Sequence, residues 1–277
     1  MNPRTERGGP AARTIADALD SELRAAILRG EIPPGAKLNL EDLRSRFGVS
    51  LSPLREALSR LAAEGLVLAE RQRGYRLPEV SGERLAEVIT LRCQLEPFAL
   101  TESIRRGDDA WEERLVAVFH RLSKLERAEG RSGRAPGDAR VEDWERAHRE
   151  FHEALIAACG MPVLLQFCAV LNDFSDRYRR LFLARNPLDR NVLGEHRAIL
   201  DAALARKAGE AAALLRQHVE RTGANVLRAM APPGRGPAKA APVRGNGARR
   251  ADAAFAPPGG VRHHGGPGDT RKLKAQR

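Results

Sequence analysis

Aromatic side chains make up only 4% of the 277 residues, and cysteine occurs three times, at Cys93, Cys159 and Cys168. So few aromatics disfavour a single-strand nucleic-acid binder, which needs stacking platforms for bases. The thiols lack metal-like spacing, and a sparse, odd set in an unexported chain reads as reduced, buried filler. No run of about 18 uncharged apolar residues is present, so no membrane span is expected. The opening MNPRTERGGP lacks the apolar stretch of a signal peptide. The expectation is a cytoplasmic protein. No glycine-rich phosphate loop and no serine or cysteine nucleophile pattern stands out.

What is present is length for two modest domains, and 42% hydrophobic residues to fill them. The formal net charge is +11, but its location matters more than its size. Residues 231–277 hold ten Lys/Arg against two Asp/Glu, a balance of +8. Residues 1–80 carry thirteen basic and eleven acidic side chains, and 81–230 are at +1. The tail 231–277 is rich in Pro, Gly, Ala and Arg with few large apolar residues, so it is expected to be disordered. It either holds the protein near DNA through counterion release or is a dispensable solvated extension. Residues 1–12 read as a short disordered lead-in.

Residues 13–80 have the pattern of a winged helix-turn-helix. A helix from Thr14 to about Arg29 places Ile15, Leu19, Leu23, Ile27 and Leu28 on one face. Gly30 and Ile32-Pro33-Pro34-Gly35 force a turn. A second helix is expected near Leu40–Phe47, and Gly48-Val49-Ser50 turns into a third over about Ser52–Glu64. Pro53 suits that helix's first turn, where no amide donor is needed, and Leu54, Leu58 and Leu61 form its core stripe. Two strand-like runs follow, Leu66–Ala69 and Tyr75–Val80, joined by a basic tip.

In such a unit the start of the third helix enters the major groove. Ser50 and Ser52 can bond phosphates or base edges, and Arg55 can reach a guanine or a phosphate. The tip offers Arg71, Gln72 and Arg73, with Gly74 allowing close approach to the duplex. From Leu43 through Arg76 seven arginines face three acids. The same shape also serves protein contacts, but a basic wing together with a polar helix start favours DNA.

The stretch GEIPPGAKLNLEDLRSRFGVSLSPLREALSRLAAEGLV resembles the GntR family signature, with PG-x-x-L, a GVS turn, PLREAL-x-x-L and EGLV in order. The resemblance implies DNA contacts at Ser50, Ser52, Arg55, Arg73 and Gly74, and Arg44 and Arg71 are further DNA-binding candidates. Leu51 and Glu41 stand where many members have Arg, which implies a different base preference.

From residue 81 to 230 the helical period dominates, with helices expected near 82–106, 109–127, 140–159, 162–184, 189–205 and 208–229, an all-α bundle. Asp108 reads as the cap of the second. His148 and His152, four apart, share a helix face; His196 and His218 lie on later helices. Imidazoles converging from three helices suit a divalent metal such as zinc, through nitrogen at about 2.0–2.1 Å, with nickel the alternative. Any one of them alone reads as an ordinary hydrogen-bonded histidine.

This region is similar to the FCD domain of the FadR branch of GntR regulators. The shared pattern is Leu91-Arg92-x-x-Leu95-Glu96, then His148-x-x-Phe151-His152-x-x-Leu155, then Glu195-His196, then His218. The resemblance implies a divalent metal on His152, His196 and His218, and on the residue four before the first of them. That residue is often Asp or Asn in relatives and is His148 here. An all-imidazole set favours zinc or nickel over harder metals. A small organic acid is the implied effector, with dicarboxylates a pointer to its class. Arg92 is the candidate second carboxylate clamp; Asn172, Arg177 and Tyr178 are further pocket candidates.

A transcription repressor released by its ligand follows. It is expected to act as a homodimer, because one winged helix reads only a half-site. The rival readings are a metal-dependent hydrolase using the histidines and a DNA architectural protein anchored by the tail. Against the first, Arg149 occupies the general-base position of an HExxH helix. Deleting 231–277 separates the second, since sequence-selective binding survives only in a regulator.

Overall fold

The computed structural model describes residues 15–70, 73–132, 138–183 and 191–231. The expected lead-in, Arg71, Gln72 and the tail beyond Ala231 lie outside the described residues.

Helix α1, Ile15–Leu28, buries Leu19, Leu23 and Ile27, one turn apart, against α3, Leu51–Ala63. Ile15, expected on that face, is 71% exposed because it starts the helix beyond the reach of the core. Helix α2, Leu40–Phe47, is capped by Asn39, whose side chain accepts from the Glu41 amide at 3.0 Å. Gly48 closes α2 at φ +64°, a left-handed conformation that glycine adopts without a Cβ clash. That turn sends the chain into α3, whose Leu54, Leu58 and Leu61 are fully buried. Each such burial stabilises the domain by about 1.5–3 kcal/mol.

Strand β1, Lys37–Leu38, was not foreseen, since two residues carry no periodicity. It joins β2, Leu68–Glu70, and β3, Gly74–Arg76, in an antiparallel sheet of order β1-β3-β2, with Leu38 opposite Tyr75 and Ala69 also opposite Tyr75. The wing strands are shorter than the pattern implied. Leu66 and Val67 drop into the helical core instead, and Pro78, lacking a ladder donor, follows closely on β3.

The second region consists of α4 (Gly82–Arg106), α5 (Asp109–Ser132), α6 (Asp138–Ile156), a 3-10 turn (Ala157–Cys159), α7 (Pro162–Leu183), α8 (Val192–Leu204) and α9 (Ala208–Met230). Asp108 Oδ1 accepts from the Trp111 amide at 3.0 Å and starts α5 as its sequence position implied. Ser81 likewise caps α4 by accepting from the Arg84 amide at 3.1 Å. Helix α4 packs against α7 and α9, while α5 packs on α6 and α8. Phe151, Leu100, Leu115 and Leu122 are buried at the centre of this bundle. All three cysteines are buried and free. Val88 of α4 and Leu171 and Phe174 of α7 also join the apolar cluster of α1 and α3, so an apolar seam runs from bundle to winged helix. Among the described residues no helix is long and apolar enough to cross a membrane.

Candidate metal centre and nucleic-acid interface

Three helices bring four imidazoles together. His148 and His152 lie one turn apart on α6, His196 on α8 and His218 on α9. One ring nitrogen of each lies within 4.8 Å of one from every other. Ring centroids are 4.5 Å apart for His148 and His152, and 4.6 Å for His196 and His218. All four side chains are buried.

Carboxylates orient two of the rings from outside. His196 Nδ1 is 2.9 Å from Glu126 Oε1 on α5, and His218 Nδ1 is 2.9 Å from Glu195 Oε2 on α8. An Nδ1–H donated to carboxylate selects the tautomer with its lone pair on Nε2, the arrangement that orients metal-ligating histidines. His196 Nε2 and both ring nitrogens of His152 are buried without a hydrogen-bond partner among the described residues. Leaving such groups unsatisfied costs about 1–3 kcal/mol each, and lone pairs converging on one cation remove that cost. Burial, followed by the Arg179 charge, holds His148 well below the ordinary histidine range. Burial and then the neighbouring His218 do the same for His152. Both are therefore neutral near pH 7, the form that binds metal. These residues fit a divalent cation.

Around the cluster, Trp144 stacks on His148 with centroids 4.7 Å apart and planes 21° from parallel, and the Arg179 guanidinium lies 5.7 Å from the Trp144 ring centre. Neither residue, nor Glu126, was singled out from the sequence. Trp144 was within reach, being four residues before His148 on one helix face; Glu126 was not, standing 70 residues from its histidine. Arg92 is buried, and its guanidinium is already engaged. Nε meets Glu96 Oε1 at 2.6 Å, Nη2 meets Oε2 at 3.2 Å, and Nη1 donates to Ser175 Oγ at 2.6 Å. Arg177 and Tyr178 brace the connection from wing to α4 instead of lining the cluster. Arg177 Nη2 donates to Pro78 O at 3.0 Å, and Tyr178 Oη accepts from the Ser81 amide at 3.1 Å. Asn172 is buried on α7.

At the start of α3, Ser50, Ser52 and Arg55 are exposed together, with Leu51 between them 37% exposed. Ser50 is the N-cap residue yet makes no side-chain cap bond, so its hydroxyl is available outward. The described arginines of this region are not equivalent. Arg44 pairs with Glu41 at 3.0 Å, Arg46 with Glu31, Arg60 with Asp17 and Glu56, and Arg76 with Glu70 at 2.9 Å. Arg55 and Arg73 make no ion pair among the described residues. Gly74 sits at φ +89° at the wing tip, and Tyr75 Oη, 2.9 Å from Ser59 Oγ, ties the wing to α3.

A three-helix unit with a short wing, presenting a polar helix start, defines a winged-helix transcription regulator. Residues 15–77 match the family of bacterial regulatory proteins named gntR, and residues 87–221 match the FCD domain. The chain belongs to the GntR family, with an FCD domain following its DNA-binding unit. It is 41% identical over 208 residues to the HTH-type transcriptional regulator BphR of Paraburkholderia xenovorans (strain LB400), covering 75% of this chain and 83% of that one. It is 36% identical over 201 residues to the HTH-type transcriptional repressor GlaR of Escherichia coli (strain K12), covering 71% and 89%. The fold is that of E. coli McbR/YncC, at TM-score 0.66 and 21% identity over 78% of this chain and 99% of that one. The protein is thus a transcription regulator and not an enzyme, and the hydrolase reading falls away.

Proposed function

We propose that the chain is a repressor whose operator affinity is set by a small organic acid bound at a divalent metal on His148, His152, His196 and His218. The observation that carries this reading is the convergence of four buried imidazoles, two of them held by carboxylates and one left without a partner on either nitrogen. A bound cation would supply an electrophilic centre for a carboxylate, and four neutral ligands leave its charge uncompensated. That set favours zinc, with nickel the alternative. Arg92, whose guanidinium is held by Glu96 and Ser175, is the candidate second carboxylate clamp. The repressor assignment follows the printed name of GlaR.

The DNA-binding domain is taken as residues 13–80 and the effector domain as 81–230, within a cytoplasmic protein. Ser50, Ser52 and Arg55 at the helix start, together with Arg44, Arg71, Arg73 and Gly74, read and position the duplex. A homodimer reads the two half-sites of a palindromic operator. Exposed Leu91 and Phe98 on α4, and Val163 and Phe167 on the adjoining α7, offer the apolar surface for a second copy. Replacing Phe98 and Phe167 by Asp leaves a monomer in sedimentation if this surface is used; an unchanged dimer removes it.

The deciding experiment is metal analysis of protein purified without chelator, then titration of mono-, hydroxy- and dicarboxylic acids against protein bound to its own upstream duplex. About one divalent ion per subunit is expected, lost in the His152→Ala, His196→Ala variant, with an acid releasing the DNA. Metal-free protein with an intact fold, or no acid that shifts the complex, defeats the proposal.

A further inference from the structure

Arg149 stands on α6 directly after His148 and three residues before His152. Its guanidinium turns away from the histidines toward α7. There Nη2 lies 2.6 Å from Asp173 Oδ1 and donates to Asp176 Oδ2 at 2.5 Å. The other oxygen of Asp173 accepts from Arg24 Nη1 of α1. That same Arg24 nitrogen is 2.6 Å from Glu64 Oε2, and Glu64 is the C-terminal cap residue of α3. Three ion contacts in series therefore join the helix that carries two of the four histidines to the end of the helix that carries Ser52 and Arg55.

The chain of charges has the makings of a two-state element. Asp173 is 3% exposed and shared by two arginines. Each of those arginines holds a further carboxylate: Asp176 for Arg149, and Glu64 and Asp20, the latter at 3.2 Å, for Arg24. Either guanidinium can thus leave Asp173 without being stranded in the interior, where an unpaired charge is severely unfavourable. Asp176 is fixed from its far side by Arg179, which also pairs with Glu145 of α6 and lies over Trp144, the residue stacked on His148. A displacement of α6 that drew Arg149 wholly onto Asp176 would leave Asp173 to Arg24, and Arg24 would then loosen its hold on Glu64. Asp173 at the centre of the series is buried, which limits screening there, while Arg24, Arg149 and Glu64 are partly exposed.

We propose that Arg149, Asp173, Arg24 and Glu64 form the relay by which the state of the histidine cluster sets the position of α3, and hence operator affinity. The inference rests on the reading that the cluster controls DNA binding. Its test uses the full chain as wild type, as Arg24→Met, and as Glu64→Gln, the last nearly isosteric at a side chain 29% exposed. Three quantities are read with Zn2+ alone as the probe: zinc per subunit, the ratio of affinities for the upstream duplex in zinc-loaded and chelator-stripped protein, and hydrogen exchange over residues 60–66. In wild type the ratio is expected to differ from one by roughly tenfold, as for ordinary allosteric coupling. Both variants should keep their zinc, while the ratio contracts to below about threefold and the zinc-dependent exchange change at 60–66 disappears. A full wild-type ratio in either variant overturns the relay and leaves the metal reading standing. A wild-type ratio of one with zinc bound also overturns the relay, and the acid titration above then judges the parent reading separately.

Discussion

His218 Nδ1 lies 2.9 Å from Glu195 Oε2, and Glu195 directly precedes His196 in α8. One turn of helix thus offers a ligand nitrogen of its own and the carboxylate that aims the ligand of α9. Glu195 Oε1 is held in turn by Arg221 at 3.0 Å. Outer carboxylates of this kind fix ring orientation and raise imidazole basicity, and losing one weakens metal binding by about 10- to 100-fold. Glu195→Gln and Glu126→Gln should each weaken zinc binding by that factor in competition with a chromogenic chelator, with the fold retained by circular dichroism. Wild-type affinity in both variants would show that these contacts are structural only.

The depressed basicity of His148 and His152 has a consequence for stability in the metal-free protein. In the unfolded chain both take up protons below about the ordinary value of 6.5. The folded state refuses those protons until a much lower pH, because burial disfavours the charged rings. Stability is therefore fully present above about 6.5 and is lost as the pH falls from there toward the lower folded-state value, by up to about 1.4 kcal/mol per pH unit for each ring. Urea unfolding in chelator at pH 7.5, 6.5 and 5.5 should show this fall, with a shallower slope in His148→Asn. A midpoint independent of pH over that range is the contrary result.

Arg55 and Arg60 lie on the same helix but differ in their engagements. Arg55 is exposed and makes no ion pair among the described residues, whereas Arg60 is paired with Asp17 and Glu56. Loss of a base-reading guanidinium weakens binding by about 1–3 kcal/mol and relaxes sequence preference. Arg55→Ala should lower affinity for the upstream duplex roughly 5- to 150-fold and narrow its margin over random DNA, by the same measure. Arg60→Ala should change affinity by less than about threefold. Equal losses measured by fluorescence anisotropy would remove Arg55 from the reading face.

Gly223 of α9 sits against α4 so closely that a Cβ would meet Ile89 Cδ1 at 2.0 Å and Cγ1 at 2.6 Å. Glycine there sets the approach of the two helices, one of which carries His218 and the other Arg92. Gly223→Ala overpacks that contact and should destabilise the protein by about 1–3 kcal/mol despite the better helix propensity of alanine. Thermal unfolding of Gly223→Ala beside Gly223→Ala, Ile89→Ala checks the cause, because the smaller partner should recover part of the loss. No recovery would place the strain elsewhere.

Much of this was open to reading along the chain. Helix α2 was expected over Leu40–Phe47 and is observed there, and the six bundle helices begin within three residues of their expected starts. The apolar spacing of Leu54, Leu58 and Leu61 and the breakers at Gly30 and Gly48 are local signals, and helices obey local rules. The pairing of His148 with His152 is of the same kind. The strands were less legible, because two or three residues are too few to show an alternation, and Leu66 and Val67 fit a strand and a helical core equally well.

The ordering of residues along the chain was enough to specify helices, turns and the face each helix buries, because those follow from backbone sterics and the 3.6-residue period. It did not specify that Glu126 would stand beside His196, that Glu96 would hold Arg92, or that Asp173 would lie between Arg149 and an arginine 149 positions earlier. Such partnerships depend on how the packed helices cross, and charges choose their partners among whatever the packing brings within about 3 Å in an interior that leaves no water to substitute.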